Sequence, residues 1–299
     1  MKLRRVIGWE FTRTIRSAQF LTMTILIPAI LTIAAFVVSL ALHGQPLVEA
    51  DTSEPIPLVV ALVFAIILFL ASFLSGVMTL YSVVREKRSR VVEILLSSIS
   101  ASTLMAGKVI GLGIAGLLQV TVWVAAGYAV ASRFVPVSLG LLTPVEWATF
   151  PLYFILGFLL TSALYAALGA AMKDVQSGGA AGLLGMIPVI PMWLSSAIIN
   201  FPSSLWVTIA GFFPPFTPAV MMLRIAAVPL ISEGKLAVPL WQIALSLVTL
   251  SLGVYLVMRF AARVFEIGLL MYGKSASLRE FWRFGLRRGK RRQRGERSA

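Results

Sequence analysis

Six long stretches of this chain contain no Asp, Glu, Lys, Arg or His: Phe20–Leu42, Pro57–Val84, Val109–Ser132, Phe150–Met172, Ala180–Asn200 and Pro239–Met258. Each is about long enough to cross a ~30 Å hydrocarbon core as a helix. The pattern predicts an all-α integral membrane protein with six transmembrane helices. The first run, 23 residues long, exceeds the apolar region of a secretory signal, about 7–15 residues, and a long basic segment precedes it; an uncleaved first helix is expected. Leu205–Leu230 is also apolar, but Pro214, Pro215 and Pro218 break it and it contains Arg224. It is expected to form outward-facing half-helices that dip into or lie on the membrane, packed against protein.

The segments outside the spans have a pattern of their own. In residues 2–17, Leu3, Val6, Ile7, Phe11 and Ile15 are apolar amid five basic residues, which predicts an amphipathic helix lying in the interface, with Trp9 as an anchor. In 85–108, REKRSRVVEILLSSISASTLMAGK, a helix puts Val91, Val92, Leu95, Leu96 and Ile99 on one face and Glu86, Arg90, Glu93 and Ser97 on the other. Glu86 and Arg90 are spaced to pair at i,i+4. Such a helix either rests at the lipid interface or acts as a lever whose polar face docks on another protein. Small residues, Gly107, Gly111, Gly113, Ala115 and Gly116 in one stretch and Gly178, Gly179, Gly182 and Gly185 in another, let helices approach closely. Pro188 and Pro191 predict a kink in the fifth span.

Composition agrees with a membrane protein: 59% of the 299 residues are hydrophobic and the mean hydropathy is +0.92. A net charge of +14 suggests nucleic acid until its placement is considered. Five basic residues lie in 1–19, five in 85–108, one at Lys173 and twelve from Arg259 onward, against Arg133, Arg224 and Lys235 in the other loops. By the positive-inside rule both termini are cytoplasmic in a plasma-membrane protein, and the charge reports topology rather than nucleic-acid binding. The expected layout is an elbow at 1–19, a six-span domain at 20–265 and a basic tail at 266–299, held near anionic lipid.

The chemistry available is sparse. With zero cysteines there is no thiolate catalysis or thiolate metal site. The one histidine, His43, has no nucleophile or metal cluster spaced to serve it, so no catalytic, metal or cofactor site is expected. Gly107–Lys108 resembles the end of a phosphate loop, but the upstream glycine position holds Ser102 and Val109 follows the lysine. Lys108 reads instead as a cation at the cytoplasmic mouth of the third span. Ion-driven transporters keep ionisable groups at membrane depth, and these spans have none. Energy for uphill transport would therefore come from a partner, with an ion-coupled secondary transporter or a non-transporting scaffold as the alternatives. The polar groups a path could offer are Ser72, Ser75, Thr79, Gln119, Tyr128, Tyr165, Gln242, Ser246 and Tyr255. They suit an amphiphile or lipid-like drug better than a bare multivalent ion, and backbone carbonyls at broken helices keep sodium open.

REKRSRVVEILLSSISASTLMAGKVIGLG (85–113) and ARVFEIGLLMYGKSASLREF (262–281) carry a resemblance. The chain resembles the permease subunits of type-2 ABC exporters, in the branch of sodium- and drug-efflux permeases. The resemblance implies an N-terminal elbow helix, a coupling helix between spans two and three, and broken half-helices between spans five and six. It also implies two permease subunits, identical or different, paired with two separate ATPase subunits. Glu86, Arg90 and Glu93 are then the residues expected to couple to the ATPase. Many relatives of that branch carry a large extracellular domain between spans one and two, where this chain has only residues 43–56.

Overall fold

A computed structural model describes residues 2–41, 56–88, 98–131, 143–172, 186–187, 190–231 and 238–270. Among these residues there is no strand. The helices are α1 (Lys2–Ile15), α2 (Ala18–Ala41), α3 (Ile56–Arg88), α4 (Ala101–Ala131), α5 (Pro144–Ala171), α6 (Ile190–Trp193), α7 (Ser195–Asn200), α8 (Leu205–Ala210), α9 (Thr217–Ile231) and α10 (Leu240–Leu270).

Four segments among the described residues are long and apolar enough to cross a bilayer: Ala65–Glu86, Ala101–Ala129, Pro144–Ala171 and Leu240–Glu266. The helices outrun the charge-free stretches. α4 starts at Ala101 rather than Val109, and α10 continues past Met258 to Leu270. An apolar run stops at the first charge, whereas a helix stops where its terminal N–H and C=O groups find other partners. Ser100 supplies such a partner to α4: the Thr103 N–H donates to its Oγ at 3.2 Å. Ser17 does the same between α1 and α2, its Oγ accepting from the Phe20 N–H at 3.2 Å. α5 begins on a capping box in which the Glu146 N–H donates to Thr143 Oγ1 and the Thr143 N–H donates to Glu146 Oε2, with Pro144 in the first turn.

α5 is the hub of the bundle. It packs against α3, α4, α9 and α10, and Phe150, Tyr153, Phe154 and Phe158 bury their rings in the main core. Close approach requires small residues at particular places. A side chain at Gly76 of α3 would collide with the Tyr165 ring, and one at Gly169 of α5 would meet the Leu80 backbone at 2.8 Å.

The predicted fifth span, 180–200, lies partly outside the described residues. Its described part is divided into two short helices, α6 and α7, which meet at Leu194; Pro191 lies in the first turn of α6, where its missing N–H costs no intrahelical bond. Residues 205–231 form two helices, α8 and α9, joined through Gly211–Phe216. Pro214 of that turn packs on α10, where a side chain at Gly253 would meet its Cβ at 2.6 Å. Residues 217–228 of α9 are buried on every side. At 1.5 Å per residue, the apolar stretch Thr217–Val228 covers only about 18 Å, less than a ~30 Å core.

Candidate functional site

Two networks of buried polar side chains, at two levels of the bundle, tie different helices together. The first lies where α1 meets the C-terminal end of α3 and the start of α4. α1 is amphipathic, and its weakly apolar side carries Val6 and Ile7 together with Glu10, the one acidic residue in its sequence. That side seats in a groove made by Gly107 and Gly111 on α4. A Cβ at Gly107 would meet Val6 Cγ1 at 2.5 Å, and one at Gly111 would meet the Ile7 carbonyl at 2.8 Å and Glu10 Cβ at 2.9 Å.

Glu10 is thereby placed on Lys108, one residue past Gly107. The Lys108 ammonium donates to Glu10 Oε1 at 2.5 Å, to Glu86 Oε1 at 2.8 Å and to Ser82 Oγ at 2.8 Å. All three of its donors are used. The Lys108 side chain is 0% exposed and that of Glu10 1%. Arg13, more exposed, donates to the same Glu86 oxygen at 3.2 Å and lies over the Trp9 ring at 5.0 Å. Burial pushes the Glu10 carboxyl above its ordinary value; the Lys108 charge opposes that shift and the Glu86 charge adds to it. A further tie closes the junction, as Lys2 Nζ donates to the Ser98 carbonyl at 2.7 Å, just ahead of α4. Three segments distant in sequence are thus held together by buried ion pairs. Moving one end of α3 or α4 must either move α1 or break buried ion pairs.

The second level lies among α5, α8, α9 and α10. Arg224 of α9, 3% exposed, donates from Nε to the Pro202 carbonyl at 2.7 Å. From Nη2 it donates to Thr208 Oγ1 at 3.2 Å and to Gln242 Oε1 at 3.1 Å. One turn along α10, Ser246 Oγ and Tyr153 Oη share a hydrogen bond of 2.6 Å.

The sequence-predicted residues divide accordingly. Gln242 and Ser246 join this second level. Ser72, Ser75, Thr79, Gln119 and Tyr165 are buried within the bundle, with Thr79 Oγ1 donating to the Ser75 carbonyl at 2.9 Å. Tyr128 and Tyr255 lie on its exterior, about half exposed. Glu86 faces into the chain, on Lys108 and Arg13, while Arg90 and Glu93 lie outside the described residues. The 85–108 stretch does not form one separate element: 85–88 extend α3 and 101–108 open α4.

Two features were missed. The Glu10–Lys108 pair was legible only as an acid set among the apolar positions of an amphipathic helix. Arg224 was visible as the single charge in 205–230, but its burial was not. Among the described residues no group of three or more metal-ligating side chains forms.

The profile of the ABC-2 family transporter proteins matches residues 40–263, so the chain belongs to the ABC-2 transporter membrane family, whose members are translocation components and not catalytic domains. The chain is 27% identical over 246 residues to the uncharacterized protein YhaP of Bacillus subtilis, covering 77% of this chain and 55% of that protein. It is 30% identical over 222 residues to an uncharacterized protein of Methanocaldococcus jannaschii, covering 72% and 51%. The chain spans about half the length of the curated relatives it matches. Family and apolar helices together make this a multi-pass membrane protein of the ABC transporter class, a class that works in general with an ABC ATPase subunit.

Proposed function

We propose that this chain is the permease subunit of an ATP-driven exporter, lining the path while a separate ATPase subunit hydrolyses ATP. In this reading it has six spans with both termini in the cytoplasm, in the plasma membrane, and two permease subunits stand on two ATPases. The observation that carries the reading, within the family frame, is the Glu10–Lys108–Glu86 junction. A permease must pass motion from a soluble motor to its spans, and this junction ties the elbow to the ends of the two helices that flank 89–97. Arg90 and Glu93 of that segment are the proposed docking contacts, and Glu86 acts behind them through Lys108.

Losing a charge-assisted contact buried at an interface typically costs about 2–5 kcal/mol, enough to uncouple a complex. Glu93→Gln is expected to leave expression and insertion intact while substrate-stimulated ATP hydrolysis and efflux collapse together. Full efflux at normal protein level would leave Glu93 a surface residue. Export that persists when the co-purifying ATPase has lost catalysis would refute ATP drive.

A further inference from the structure

Arg224 is 3% exposed, yet every partner the structure gives it is neutral: the Pro202 carbonyl, Thr208 Oγ1, Gln242 Oε1 and, at 3.7 Å from Nη1, Met221 Sδ. Among the described residues no carboxylate pairs with it. Burying an ion without its counter-charge is expensive, and in a membrane protein a buried ionisable residue marks a site more often than a brace. The Pro202 carbonyl, which follows α7, lies beside the guanidinium. It supplies partial negative charge, well short of a full unit. The bonds are also uneven. Two neutral oxygens crowd Nη2, while Nη1 has only a thioether, a weak acceptor. A carboxylate or phosphate presented to the Nη1–Nη2 edge would make a bidentate, charge-assisted pair in place of those weaker contacts.

The surroundings say what carries the anion. Thr208 and Gln242, which share Nη2, sit on helix ends whose other faces are exposed and apolar: Leu205, Trp206 and Ile209 on α8, and Leu240 and Trp241 on α10. A free anion finds nothing attractive in such a surround, whereas an acyl or alkyl chain does. We infer that Arg224 is the head-group contact for an anionic amphiphile, a phosphate or carboxylate on a hydrocarbon chain, that enters beside α8 and α10. This rests on the transport reading and narrows its substrate class. It turns the choice between amphiphile and sodium toward the amphiphile, since a buried cation repels sodium.

The test needs no ATPase, so its failure is distinct from failure of the transport reading. The full chain in phosphatidylcholine nanodiscs is titrated with dodecyl phosphate, dodecyltrimethylammonium or inorganic phosphate, following intrinsic Trp fluorescence. Dodecyl phosphate is expected to bind at least about tenfold tighter than either of the others, because it alone combines the charge-assisted pair with apolar burial. Arg224→Gln is expected to abolish the preference over the cationic chain. Thr208→Val, which removes a competing neutral partner and keeps the charge, is expected to preserve or strengthen it, and it serves where Arg224→Gln does not fold. Equal binding of the two charged chains by the wild type overturns the proposal. So does a preference that survives Arg224→Gln or disappears in Thr208→Val. Inorganic phosphate binding as tightly as dodecyl phosphate would make this a free-anion site and overturn the amphiphile assignment.

Discussion

Lys108→Met isolates the junction beneath α1. The substitution keeps the length of the stem and removes the charge, leaving Glu10 and Glu86 facing an apolar end. The two carboxylates lose different amounts. Glu86 keeps Arg13 at 3.2 Å, and its side chain is 11% exposed; Glu10 is 1% exposed and loses its ion-pair partner. Removing one member of a buried pair costs about 3–5 kcal/mol, because the survivor stays buried and uncompensated. For chains of a few hundred residues each kcal/mol lowers the unfolding midpoint by roughly 2–4 °C. Lys108→Met should therefore unfold on the order of 10 °C early, as read by scanning fluorimetry in detergent or nanodiscs. Arg13→Gln, which breaks a more exposed pair, is worth only about 0–1 kcal/mol and should barely move the midpoint. Adding Glu10→Gln to Lys108→Met removes the stranded charge and should recover a large part of the loss, the signature of direct coupling. A Lys108→Met midpoint as close to the wild type as that of Arg13→Gln would refute the reasoning.

Gly111→Ala places a methyl group against the Ile7 backbone and Glu10; such overpacking costs about 1–3 kcal/mol, and the variant should lose stability and expose α1 to protease. A wild-type midpoint with α1 protected would show that the groove has slack. Since burial raises the Glu10 carboxyl above 4.5, the folded state favours its protonated form. Its contribution to stability is full below that value and is lost as pH rises through the raised one. Against Glu10→Gln, the wild type should thus be relatively most stable near pH 4 and lose ground toward neutral pH, and a constant difference in midpoint across that range would contradict the shift. Cysteines placed at Ser53, Ser138 and Ser232 should react with an impermeant maleimide from outside, and those at Ser98 and Ser277 should not. Outside labelling of Ser277 would end the proposed topology.

The charge-free runs by themselves determined that this is a helical membrane protein, because a backbone in hydrocarbon must satisfy its own hydrogen bonds, and helices do so locally. The prolines at 214, 215 and 218 likewise foretold a break within 205–230, a local steric effect. What the runs could not show was where helices end, since α3, α4 and α10 continue through charged residues. Nor could they show which charges are buried. Glu10 and Lys108 are 98 positions apart, and Arg224 reads on paper as a loop cation. Whether a charge meets water or a partner depends on which helices pack together, through close approaches such as Val6 and Glu10 against Gly107 and Gly111. That pairing is non-local. The tertiary structure alone therefore decided that charged side chains lying outside the charge-free runs, Glu10, Lys108 and Arg224 among them, are buried at both levels of the bundle.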